Sequence, residues 1–208
     1  MIITDIKKEK NHLVRILLDS GEAFLLDKSV CAENGLSKGS LLSDEKIEAL
    51  SYESDYERAK SRALWYLDRK DYTEKALYTK LLRAGFSKRA SAKVMARLTE
   101  LGMVDDLRFA ERFAERCAEN NVSKREALHK MLEKGVPYDM AKEVLDSLEA
   151  DEDEQIRAII EKKYAYKLSL EGGAEKVYAA LVRKGFSYSG IRKALNEFIS
   201  EIDICEEC

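Results

Sequence analysis

One phrase occurs three times in this chain at a spacing of fifty residues. Residues 76–98 read ALYTKLLRAGFSKRASAKVMARL, residues 127–148 read ALHKMLEKGVPYDMAKEVLDSL, and residues 176–198 read KVYAALVRKGFSYSGIRKALNEF. Each is an apolar stripe at helical spacing, a glycine, an apolar residue and a second apolar stripe. The glycines are Gly85, Gly135 and Gly185. The apolar positions keep the same register: Leu81, Met131 and Leu181; Leu82, Leu132 and Val182; Phe86, Val136 and Phe186; Met95, Leu145 and Leu195; Leu98, Leu148 and Phe198. A glycine just past an apolar turn supplies the left-handed residue that ends a helix, and Ser87 after it is placed to cap the next one. The pattern predicts three copies of one helical unit in a row, a repeat array in which neighbouring units stack.

Around these phrases the chain reads as a mainly α protein. It is expected to be an elongated array of three tandem three-helix repeats, 51–101, 102–150 and 151–208, after a small β-rich extension with a short helix, 1–50. In the extension, Ile2, Ile3 and Ile6, then His12–Leu18, then Ala23–Leu26 after the Asp19-Ser20-Gly21 turn, predict a meander of two or three strands. Such a sheet is marginal alone, so it should pack on the following helix. Asp27 is placed to cap a short helix over Ser29–Asn34. Ser43, followed by Asp44 and Glu45, should start a long helix running to Leu67, continuous or broken near Ser51–Asp55. Thr73 and Ser123 are the caps expected for the middle helices of repeats one and two. Pro137 occupies the N-cap of the last helix of repeat two, where a missing N–H costs least. The first helix of repeat three, with Ile156, Ile159, Ile160 and Tyr164, should break at Gly172-Gly173, and the fifty-residue register is weakest in these first helices.

Composition narrows the function. The chain has 208 residues, 36% of them charged, and Pro137 is its one proline, a balance suited to long solvated helices. It contains no run of about 18–20 apolar residues, and its start, MIITDIKKEK, lacks the apolar stretch of a signal peptide, so a cytoplasmic protein is expected. There is no G-x-x-x-x-G-K-[ST] loop, and His12 and His129 stand in unrelated settings, so no enzyme activity and no cofactor are expected. Of Cys31, Cys117, Cys205 and Cys208, the last two form a lone CxxC on an acidic tail; without further paired ligands this predicts reduced thiols rather than a metal site, with a terminal redox pair as the alternative. Asp105-Asp106 reads as a helix cap in preference to a metal-binding pair, Arg108 is placed to pair with Asp105, and His129 reads as a surface residue.

Net charge is −3, but the charge is uneven. Arg69–Arg97 contains nine basic residues and two acidic ones, Asp71 and Glu74. Arg89, Lys93 and Arg97, at i, i+4 and i+8, share a helix face. Lys88 and Arg89 fall in a first helical turn, where positive charge opposes the helix dipole at a cost of about 0.3–1 kcal/mol. Fold stability does not ask for this placement. It reads either as a solvated face whose long side chains cover apolar surface or as a contact for phosphates or an acidic partner. Tyr72 and Tyr78 lie in the same region, where tyrosines can stack on bases, although Tyr78 sits on the apolar stripe.

The chain resembles the RecX family of recombination regulators. The resemblance rests on Lys80-Leu81, Leu132 with Lys134-Gly135, Val182 with Lys184-Gly185, and the link Gly102, Asp105-Asp106-Leu107-Arg108-Phe109-Ala110. It covers roughly residues 59–198. Repeat one departs from it with Ala84 before Gly85. The resemblance implies a non-enzymatic regulator of the RecA recombinase in homologous recombination, DNA repair and the SOS response. Such a protein binds RecA filaments on single-stranded DNA, inhibits ATPase and strand exchange or promotes disassembly, and acts as a monomer. With it, Lys80, Arg83, Lys88, Arg89, Lys93 and Arg97 become the candidate contacts to DNA or recombinase. The alternative is a helical-repeat protein–protein adaptor unrelated to DNA.

Overall fold

The computed structural model describes residues 1–206, with side chains through residue 200; the Cys205/Cys208 pair lies outside the described side chains. The chain divides into two compact units, Met1–Asp105 and a second from Asp106 onward.

The first unit opens with three antiparallel strands in the order β1 (Ile3–Lys8), β2 (Leu13–Leu18) and β3 (Ala23–Asp27). Ile16 pairs with Ile6 on one side and Phe24 on the other. Strand alternation sends Val14, Ile16 and Leu18 to one face, where they are buried with Ile3, Leu26, Val30, Leu42 and Leu50. Each such side chain contributes about 1.5–3 kcal/mol when fully buried. Asp27 caps α1 (Lys28–Glu33) by accepting from the Ser29 amide at 2.9 Å. Ser43 caps α2 (Asp44–Leu67) in the same way through the Lys46 amide.

Helix α2 is continuous through Ser51–Asp55, where Glu53, Ser54 and Asp55 each have a distant partner. Ser54, buried, accepts from the Asp27 amide at 2.6 Å, Glu53 accepts from Asn34 at 3.2 Å, and Asp55 accepts from Ser87. The N-terminal half of α2 thus covers the sheet. Its C-terminal half joins α3 (Glu74–Arg83) and α4 (Lys88–Glu100) around Ala59, Ala63, Leu77, Leu81, Val94, Met95 and Leu98.

The second unit holds two further helix groups. One is α5 (Asp106–Glu119), α6 (Lys124–Lys134) and α7 (Tyr138–Ser147), with a core that includes Phe109, Met131, Val136 and Leu145. The other is α8 (Glu152–Lys163), α9 (Ala165–Leu168), α10 (Gly173–Arg183) and α11 (Tyr188–Glu206), around Ile156, Ile160, Leu181, Phe186 and Leu195. Helix α8 ends at Tyr164, ahead of the Gly172-Gly173 pair, and α9 occupies the gap. Gly173 is required by α9 itself, since a Cβ there would lie 1.8 Å from the Lys167 carbonyl oxygen.

The repeated phrase closes each time with the same hydrogen bonds. Gly85, Gly135 and Gly185 have φ of 90°, 95° and 87°. Their amides donate to Leu82, Leu132 and Val182, and the next amides, of Phe86, Val136 and Phe186, donate to Leu81, Met131 and Leu181. This is the Schellman termination, with its apolar residue after the glycine folded back on the helix. Thr73, Ser87 and Ser123 cap the following helices through the amides of Ala76, Ala90 and Glu126. Pro137 occupies its N-cap without a side-chain cap bond. Tandem helical repeats behind a small sheet are therefore the architecture of this chain.

Candidate functional site

The basic edge of α4 is set in place by an acid on α2. The Ser87 amide and hydroxyl both donate to Asp55 Oδ2, at 2.9 and 2.5 Å, while Ser87 Oγ caps α4. The same device recurs in the last repeat, where the Ser187 amide and hydroxyl donate to Glu152 at 3.0 and 2.6 Å. Proline at 137 has neither donor, so the middle repeat lacks this tie.

Anchored in this way, α4 lies beside α2 and lays its cations on α2 tyrosines. The Arg89 guanidinium is 4.2 Å from the Tyr52 ring centre; Lys93 Nζ is 4.7 Å from Tyr56 and 5.6 Å from Tyr52. Such contacts are worth about 0.5–1 kcal/mol at exposed sites and leave the cation's outer face to solvent. Lys88, Arg89 and Lys93 are exposed, and among the described residues none has an ion-pair partner. Arg97, also exposed, pairs with Glu100 one turn on, at 3.2 Å. The structure thus brings Arg89 and Lys93 together on Tyr52 and Tyr56.

Lys80 belongs to a different ring pair. Half-buried on α3, it lies 4.8 Å from Tyr66 and 5.4 Å from Tyr72, two rings that meet edge-to-face with Lys70 4.9 Å above Tyr72. Arg83 is exposed near the end of α3. Tyr72 and Tyr78 are both half-buried against the repeat core, and Tyr72 is the tyrosine of the two that joins the cationic cluster.

The other candidates resolve individually. Asp106 is the first residue of α5, with Asp105 directly before it. His129 is exposed, 3.5 Å from Glu133. Among the described residues no group of three or more His, Cys, Asp or Glu is arranged to hold a metal ion, and no helix is long and apolar enough to cross a membrane. Cys31 and Cys117 are buried, and burial raises both thiols above the ordinary cysteine pKa.

Four residues absent from the sequence-derived site share its chemistry. Tyr52 and Tyr56 supply the faces under Arg89 and Lys93. Arg62 and the chain's one tryptophan, Trp65, form a further cation–aromatic pair at 5.5 Å on α2. The spacing of Tyr52 and Tyr56 at i, i+4 is visible in the sequence, but their cationic partners come from another helix.

Fold and site together define a tandem three-helix-repeat protein whose distinctive chemistry is cationic side chains laid on surface aromatics. Comparison with known proteins gives its family. The family model for the first three-helix domain of RecX matches residues 59–98, and that for the third three-helix domain matches residues 151–195. Regulatory protein RecX of Caldanaerobacter subterraneus subsp. tengcongensis is 31% identical over 199 residues, covering 94% of this chain and 99% of the relative. Regulatory protein RecX of Prosthecochloris aestuarii is 33% identical over 149 residues, covering 71% of this chain and 98% of that one. A crystal structure of regulatory protein RecX superposes with a TM-score of 0.68 over 94% of this chain and 98% of the other, at 22% identity, a likeness of fold. The chain belongs to the RecX family of regulatory proteins.

Proposed function

We propose that this protein is a non-enzymatic, monomeric, cytoplasmic regulator of the RecA recombinase. It binds RecA filaments on single-stranded DNA and inhibits their ATPase and strand exchange or promotes their disassembly. Family membership supports the general role. The observation that carries the residue assignment is the α4 edge: Lys88 and Arg89 stand against the helix dipole in a first turn that contains no acid of its own, exposed, with Arg89 and Lys93 laid on tyrosine rings. A polyanionic surface, whether DNA phosphate or an acidic recombinase face, relieves that unfavourable placement. Lys80 and Arg83 on α3 are the adjoining contacts.

The test is the triple substitution Arg89→Glu, Lys93→Glu, Arg97→Glu in a recombinase ATPase assay on single-stranded DNA. The expected result is a concentration for half-inhibition raised by about tenfold or more, with helical circular dichroism intact. Unchanged inhibition by the triple variant excludes this edge as the contact.

A further inference from the structure

The first unit carries a second cationic surface that the α4 edge does not use. A groove of about 730 Å³ lies between α2 and the extension, walled on one side by Arg58, Arg62 and Trp65 and on the other by Asn11, His12 and Lys28. Arg58, Arg62 and Trp65 follow one another at i, i+4 and i+7 on α2, a stripe about 10 Å long, and Arg69 lies just past the helix end. Trp65 is 46% exposed, an unusual position for an indole. Arg69 lies 3.5 Å from its ring centre and donates from Nη1 to the Trp65 carbonyl oxygen at 2.8 Å. Arg58 lies 5.7 Å from the Phe86 ring at the groove's margin.

The charge is one-sided. Among the described residues Arg58, Arg62, Arg69 and Lys28 have no ion-pair partner. Against Lys28, Arg58 and Arg62 the groove is lined by one acid, Asp27, whose carboxylate also accepts from the Ser29 amide and hydroxyl. The opposite wall is a fixed structure. Asn11 and His12 are consecutive residues with positive φ, 59° and 61°, and the His12 carbonyl accepts from the Lys28 amide at 2.8 Å, tying the β1–β2 turn to the start of α1.

We propose that this groove binds single-stranded nucleic acid, with a base stacked at Trp65 and backbone phosphates on Arg58, Arg62, Arg69 and Lys28. Guanidinium groups without ion-pair partners suit a chain of phosphates, and a half-exposed indole with Arg69 over its ring gives a sequence-tolerant platform for an unpaired base. A duplex keeps its bases stacked inside and has no face to offer Trp65. An acidic polypeptide would meet the arginines and leave the indole without a role. The β-rich extension, on this account, is the second wall of a nucleic-acid track. The proposal needs no recombinase and stands or falls apart from the reading of α4.

Trp65 is the sole tryptophan, so its emission reports this groove directly. The full chain is titrated with a fluorescently labelled oligothymidylate at about 50 mM salt, following both tryptophan emission and oligonucleotide anisotropy. Expected are saturable quenching that follows the anisotropy change, and loss of both at about 200 mM salt. Arg58→Glu with Arg62→Glu weakens both signals about tenfold or more, and Lys28→Glu weakens them too. Circular dichroism verifies that each variant is folded. Binding by anisotropy with unchanged tryptophan emission overturns the proposal, as does absence of binding. Equal quenching by a duplex of the same length or by polyglutamate also overturns it.

Discussion

The repeated glycines offer a quantitative test, because two of them share a backbone conformation and differ in surroundings. Alanine at Gly85 meets strain alone: φ is +90° and nothing lies within 4 Å of the added Cβ. Left-handed backbone costs an L-residue about 1–2 kcal/mol, offset by about 0.4–1 kcal/mol from the stiffer unfolded chain. Gly85→Ala should therefore lose about 1 kcal/mol. Gly185 has φ +87°, but its added Cβ would lie 2.9 Å from Ser123 Oγ and 3.1 Å from Arg125 Cβ. Ser123 has little room to yield, since it donates to the Lys184 carbonyl at 2.5 Å and caps α6 through the Glu126 amide at 3.2 Å. Displacing it threatens a hydrogen bond and a cap, each worth about 1 kcal/mol. Gly185→Ala should lose about 2–3 kcal/mol. Urea unfolding of both variants, followed by circular dichroism with full fits of midpoint and slope, measures the difference. Equal losses would refute the argument that the joint between the last two helix groups is tight at Gly185. Losses below about 0.3 kcal/mol in both would refute the Schellman assignment itself.

Three further outcomes follow from the same geometry. Gly135→Val places a β-branched residue at φ 95° and should lower stability by at least about 2 kcal/mol in the same urea experiment. Asp55→Ala removes the acceptor for both the amide and the hydroxyl of Ser87; it should cost about 1–2 kcal/mol and speed amide exchange in the first turn of α4, read by hydrogen-exchange mass spectrometry. Cys31 and Cys117 are buried with raised thiol pKa values, so at neutral pH fewer of them are thiolate than in the unfolded chain; iodoacetamide should label both much more slowly in native protein than in urea, by peptide mass spectrometry.

What could be read from the sequence and what could not divide along a physical line. The helix ends were legible because their determinants are local: a glycine with positive φ, a serine or threonine that caps through an amide three residues on, and apolar positions in step. The β-meander was legible from alternation and the Asp19-Ser20-Gly21 turn. Continuity of α2 was not, because Ser51–Asp55 looks like a polar interruption. Only the folded chain shows Ser54 serving the Asp27 amide and Asp55 serving Ser87. The same holds for the site. The shared face of Arg89 and Lys93 follows from helical spacing, but Tyr52 and Tyr56 beneath them are more than thirty residues away. Lys80, a candidate contact by resemblance, lies on Tyr66 and Tyr72, a pairing that spacing alone does not show. The stripe of Arg58, Arg62 and Trp65 was present as spacing all along; what the fold adds is the wall opposite it.

Regulation of the recombinase is tested most directly by RecA ATPase on single-stranded DNA with this protein titrated from well below one molecule per protomer. The account predicts inhibition at substoichiometric amounts, as filament capping or disruption requires. No effect on the cognate recombinase at any ratio would contradict it and leave a helical-repeat adaptor for another protein as the better reading.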